Sequence, residues 1–145
     1  MYDPRFRALM ELAGGPQDWG WAAAVVEVAS GFNPYAVSDN RRGLFQMEPS
    51  FIADVLREYA SDGQFLAIAH ADPFLQAAAF RRFWLRHGTA EAADKLRILH
   101  YGESRARQLD SAENPDPDGY VDQVRKARAI IVAPSKPTNG EKKAA

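Results

Sequence analysis

One carboxylate, Glu27, stands alone inside the strongly apolar residues 21–29. A carboxyl group surrounded by apolar side chains keeps its proton to higher pH, the state a general acid needs. A second reading makes Glu27 the one exposed strip of an otherwise buried helix, and spacing alone leaves both open. Further on, Ser38, Asp39, Gln46 and Glu48 crowd a segment of turn formers and adjacent arginines. Their side chains suit hydrogen bonding to a polar ligand, and Asp39 and Glu48 are either working acids or solvated loop carboxylates. The three histidines, His70, His87 and His100, show no paired spacing, and there is no cysteine. Neither a metal site nor a cofactor is therefore expected.

The elements that must position these residues read as helices. Asp3-Pro4 opens a short one, with Phe6, Leu9, Met10 and Ala13 on a face, and Gly14-Gly15 interrupts it. Pro16 opens the next, apolar almost all round and ended by Gly31, so it should be central and buried. Residues 33–43 lack periodicity and read as an ordered loop. Ser50 is placed to cap a third helix running past Tyr59, with Asp62-Gly63 beyond its end. Asp72-Pro73 starts a fourth, with Phe74, Leu75, Ala78, Ala79, Arg82 and Leu85 near one face and Phe80, Phe83 and Trp84 broadening it. Thr89 is placed to cap a fifth that ends before Gly102, and residues 111–119 read as loop. A last helix spans about residues 120–132, where Ile130 and its neighbours also fit a strand edge. The expected fold is all-α, α+β at most, with a small hairpin inside the loop. Residues 1–132 form one domain and residues 133–145 a disordered tail.

Composition narrows the function classes. Eighteen basic residues nearly balance nineteen acidic ones, so no concentrated basic excess marks a nucleic-acid partner. The longest apolar run, residues 21–26, is far short of the roughly 20 residues that cross a bilayer, so membrane insertion is not expected. The first seven residues carry charge and proline, which is not the pattern of a signal peptide.

The segment Ala29-Ser30-Gly31-Phe32-Asn33-Pro34-Tyr35-Ala36-Val37-Ser38, followed by Gly43-Leu44-Phe45-Gln46-Met47, resembles the soluble lytic transglycosylase and goose-type lysozyme superfamily. That family carries Glu-Ser-x-Phe-Asn-Pro at the end of a buried helix, then Ala-x-Ser, then Gly-Leu-Met-Gln. The resemblance is strong before Pro49 and looser afterwards, where Ile98-Leu99-His100-Tyr101-Gly102 echoes Ala-Tyr-Asn-Ala-Gly and Tyr120-Val121 matches a closing Tyr-Val helix. It implies a lysozyme-like domain that cleaves peptidoglycan between N-acetylmuramic acid and N-acetylglucosamine.

The resemblance aligns the family's catalytic glutamate with Ala29, which has no proton to give. Glu27 lies about 200° away around a helix of 3.6 residues per turn, and so does not simply replace it. Three accounts of Ala29 stand, in this order: an engineered change, a natural pseudoenzyme, and a shifted helix register that recruits Glu27. The resemblance further implies that Ser30 hydrogen-bonds beside the acid position, that Ser38 and Gln46 contact sugar, and that Phe45 and Met47 wall the groove. His100, Tyr101 and Tyr120 complete the substrate-binding set. Glu48 stands where goose-type lysozymes carry a second acid, which together with Asp39 keeps hydrolysis open beside ring-closing transglycosylation. The runner-up function is a natural non-catalytic glycan-binding or virion structural module, and the third a scaffold without carbohydrate affinity. A phage lysin or virion-borne protein acting on the cell wall, monomeric or part of a virion, suits the small size.

Overall fold

The computed structural model describes residues 2–133, and over them the chain is helical with one small antiparallel hairpin. The helices are α1 (Arg7–Ser30), α2 (Pro49–Val55), α3 (Gly63–Ala71), α4 (Pro73–Arg86), α5 (Ala92–Tyr101), α6 (Glu103–Asp110) and α7 (Tyr120–Ile131). The hairpin strands are β1 (Val37–Ser38) and β2 (Arg41–Arg42). The expectation of a tail concerns residues that, apart from Ala133, lie outside those described. No helix among the described residues is long and apolar enough to cross a membrane.

Helix α1 organises the rest. It kinks at Gly15, whose φ of 80° and ψ of 174° leave the helical region, and Pro16 restarts it. The break expected at Gly14-Gly15 is therefore present. Beyond it, Ala22, Ala23, Ala24, Val25 and Val26 are buried, and their small size lets neighbouring helices approach closely on more than one side. Helix α4 packs along one flank and α7 along another. The Trp84 indole N–H donates to the Asp18 carboxylate at 2.8 Å, fixing α4 to α1, and the Arg128 guanidinium lies 4.5 Å over the Trp21 ring, fixing α7. Gly31, in the left-handed region at φ 60°, ends α1 by donating its N–H to Glu27 O at 3.0 Å.

Several local expectations are corrected. Glu48, not Ser50, holds the N-cap position of α2, with Pro49 in the first turn. α2 stops at Val55, and a single 3-10 turn, Arg57–Tyr59, continues the chain. Asp62-Gly63 begins α3 instead of closing its predecessor, since the Asp62 carboxylate accepts from the Phe65 N–H at 3.0 Å. Thr89 lies in a turn, and α5 begins after Glu91. Gly102, at φ 84° and ψ 159°, separates α5 from α6, a helix the apolar pattern does not announce. On α4 the buried set is Gln76, Ala77, Ala79, Phe80, Phe83 and Trp84, while Phe74 and Leu85 are each 59% exposed and Arg82 pairs outward with Glu58. Both stripes have helical spacing, and the face with the larger aromatic volume is the one that packs. The carboxyl-terminal segment continues as helix, and Ile130 is exposed.

The loop after α1 is held by one side chain. Gln76, fully buried on α4, accepts from the Phe45 N–H at 3.1 Å and donates through Nε2 to Arg42 O at 2.7 Å and His70 O at 2.9 Å. Gly43 lets that amide approach, for at φ 81° an added Cβ would stand 2.7 Å from Gln76 Nε2. Ser30 Oγ donates to Leu44 O at 2.6 Å, tying the loop to the end of α1. Replacing Gln76 by leucine keeps the bulk but strands these backbone groups. Gln76→Leu is expected to lower the unfolding free energy by at least about 1–3 kcal/mol, measured by urea denaturation, and an unchanged midpoint would show the loop to be anchored elsewhere.

Candidate functional site

The loop and hairpin, the end of α1, the end of α5 and the start of α7 line a cleft of about 520 Å³. That volume is in the range of small-ligand sites, roughly 300–1,000 Å³. Helix α1 lines it with Val25, Val28 and Ala29, which share one face at spacings of three and four. The hairpin contributes Ser38 and Arg41, directly paired across β1 and β2, so both point to the same side. Phe45, Gln46, Met47 and Glu48 form the next wall. Leu99, His100, Tyr101 and Gly102 come from the end of α5, with Asp118, Tyr120 and Gln123 from the start of α7 and the turn before it.

Most residues expected from the sequence therefore meet in one place: Ala29, Ser38, Phe45, Gln46, Met47, Glu48, His100, Tyr101 and Tyr120. Three do not line it. Ser30 makes its hydrogen bonds to Leu44 O and Val26 O, a structural fastening of the loop. Asp39 sits at the exposed tip of the hairpin with φ 54°. Glu27 is half-buried on a different side of α1 from Val25, Val28 and Ala29. Phe32 belongs to the core, packed against Tyr2 and Phe6.

The walls differ in character. Phe45 is buried and packs on Phe80 with ring centroids 5.1 Å apart, a firm apolar floor. Gln46 takes a left-handed conformation, φ 51°, and its Nε2 donates to Ala36 O at 2.9 Å and Gly43 O at 3.0 Å. The amide is thus held rigid at the cleft by the loop it closes. Glu48 accepts from Arg41 Nε at 3.2 Å, which places a guanidinium–carboxylate pair at one rim.

The opposite wall carries the residues that sequence reasoning missed, Asp118 and Gln123 of the cleft and Asp116 behind it. The Asp116 carboxylate accepts from the Val121 and Asp122 N–H groups, each at 3.2 Å, and from the Tyr101 hydroxyl at 2.8 Å. It caps α7 and joins that helix to α5. Although burial works to raise its pKa, the Tyr101 hydroxyl and the N–H groups at the start of α7 outweigh that and hold Asp116 below the usual aspartate value. The Asp118 N–H donates to Tyr101 Oη at 3.0 Å, and the Asp118 carboxylate meets His100 Nε2 at 3.0 Å. His100 stacks on Tyr120, with centroids 4.2 Å apart and planes 9° apart, and meets Tyr101 edge-on at 4.6 Å. Burial, offset in part by the Arg41 charge, pushes the Tyr120 phenol well above its ordinary value, so it stands at the cleft as a neutral hydroxyl. The cleft thus combines aromatic faces, paired polar groups and an apolar floor. Arg41 was visible in the sequence as one of two adjacent loop arginines, whereas Asp116 and Asp118 lie in a proline-rich segment without a distinguishing pattern.

No family model, curated protein or solved structure matches this chain.

Asp116→Ala removes the cap of α7, and a stability loss of about 0.5–2 kcal/mol is expected near neutral pH. Because the folded-state pKa is depressed, the contribution is complete above the ordinary value of 3.8 and is lost as pH falls through the lower folded value. The gap between variant and parent in thermal unfolding should close in that acid window, and a gap independent of pH would mean that the carboxylate charge is not involved.

Proposed function

We propose that this cleft holds the glycan strand of bacterial peptidoglycan in the manner of a lysozyme-like muramidase or lytic transglycosylase, with alanine at the general-acid position. The observation that carries the reading is Ala29. It lies on the cleft-facing side of α1, and Ser38, Phe45, Gln46, Met47 and Glu48, drawn from the same motif, line the same space. Tyr120 and His100, separated from them by most of the chain, complete it. A motif scattered over unrelated surfaces would argue against a common ligand, and this one converges.

Glycosidic cleavage needs a proton at the leaving oxygen and a nucleophile at the anomeric carbon. The methyl group of Ala29 supplies no proton, and its small size leaves room where a carboxyl group would project. Glu48, held by Arg41, would orient a water molecule, the second acid's role in hydrolysis. Ser38 and Gln46 provide polar contacts for sugar, and the Tyr120 hydroxyl a donor. A second reading, a natural glycan-binding or virion module, is favoured by Ala29 itself, since binding requires the walls but not the acid.

Restoring the carboxyl group tests the proposal. Ala29→Glu should release soluble muropeptides from purified peptidoglycan on the order of 10²-fold or more faster than the parent, followed by turbidity and mass spectrometry. Anhydro-ended products would identify transglycosylation and reducing ends hydrolysis. If neither protein cleaves but the parent sediments with the polymer, the binding-module reading replaces the enzymatic one. If neither cleaves nor binds, the cleft has another ligand.

A further inference from the structure

Resting on that reading, we propose that the cleft's acid–base chemistry resides on the wall opposite α1, with His100 as the proton-transferring catalytic residue and Asp118 as its positioning residue. The argument begins with the hydrogen bond between His100 Nε2 and the Asp118 carboxylate at 3.0 Å. A carboxylate accepts, so Nε2 carries a hydrogen and Nδ1 is the nitrogen left for exchange with a ligand. The ring cannot turn freely, because Tyr120 stacks on one face and Tyr101 abuts it edge-on. The Asp118 backbone is held by its N–H, which donates to the Tyr101 hydroxyl, and that hydroxyl donates in turn to Asp116. An imidazole oriented by a carboxylate, locked between rings and lining a ligand-sized cleft is the arrangement used for positioned proton transfer.

The surroundings add two further points. Of the other side chains lining the cleft, Glu48 is engaged by Arg41, and Tyr120 and Tyr101 have phenols that burial pushes above their ordinary values. His100 is the one imidazole among the described residues that line it, and an imidazole can both give and take a proton. Charged groups on the elements packed around it include Asp118 and Asp116 ahead of α7, Asp122 paired with Lys126 and also Arg125 and Arg128 on α7, and Glu103 paired with Arg107 and also Arg105 and Asp110 on α6. Arg41 and Glu48 face it across the cleft.

In the step we infer, the Nδ1–H of the imidazolium protonates the glycosidic oxygen as the bond from that oxygen to the anomeric carbon breaks. The leaving sugar departs with a new hydroxyl. The anomeric carbon then takes oxygen from water or from the same sugar's own 6-hydroxyl, and the proton released returns to Nδ1. No electrons are transferred and the imidazolium is regenerated.

The test measures muropeptide release from purified peptidoglycan by the full chain, with His100→Ala, His100→Gln, Asp118→Asn and the double variant Ala29→Glu/His100→Ala. The expected result is slow release by the parent, lowered by about 10²–10⁴-fold in both His100 variants, while the double variant still cleaves and so shows the cleft to be folded. In Asp118→Asn the hydrogen bond that orients the ring is weakened, so the release rate at saturating polymer should fall while binding of the polymer is kept, a split that a purely structural role of Asp118 would not cause. Release by Ala29→Glu but none by the parent overturns the dyad and leaves the glycan reading intact. Undiminished release by the His100 variants overturns it equally. Absence of both binding and release in every protein overturns the glycan reading and the dyad together.

Discussion

The arrangement of this protein depends on a single buried amide. Gln76 lies in the apolar face of α4, where an unpartnered amide would be costly, and its hydrogen bonds are all made to the backbone around the loop after α1 and the end of α3. Burial and satisfaction are therefore the same event. The loop cannot drift without stranding polar groups in the core, and the core cannot close without the loop. Gly43 is required because the amide passes where any Cβ would stand.

From that anchor the geometry of the cleft follows. Ser30 fixes the far end of the loop to α1, and Gln46 closes it from within through Ala36 O and Gly43 O. The hairpin, with the Ser38 and Arg41 pair on its inner side, is thereby set opposite the α5 and α7 ends. The opposite wall has its own fastening, since Asp116 caps α7 and accepts from Tyr101 of α5. One wall is thus organised by a neutral amide in the core and the other by a carboxylate at a helix start. The ligand space lies between two independently fixed surfaces, which is the preorganisation that a binding or catalytic site needs.

The chemistry is distributed unevenly over these walls. Its wall is apolar and shaped, and the titratable groups lie elsewhere: Glu48 with Arg41 at one rim, His100 with Asp118 at the other. The proposed glycan ligand would meet shape and aromatic faces along the floor and hydrogen-bonding pairs at the edges.

Much of this was legible in the residues themselves. The kink at Gly14-Gly15, the burial of the second half of α1, the Gly31 stop and the small hairpin follow from backbone freedom and apolar density, which are local properties. The motif from Ala29 to Glu48 marked one wall of the cleft for the same reason, being nearly contiguous. Helices α3 and α6 were not legible, because short helices flanked by other helices depend on packing for their stability more than on their own pattern. Nor was the buried face of α4, where two stripes of equal spacing competed and only the neighbouring helix could choose. Gln76, Asp116 and Asp118 look like ordinary polar residues in sequence. Their roles arise from groups 31 residues away in one case and 18 in another, and such pairings exist only once the chain has closed on itself. The sequence by itself determined which local segments could form and which residues could do chemistry; the tertiary structure decided which of them face one another, because burial and hydrogen-bond satisfaction are settled between elements and not within them.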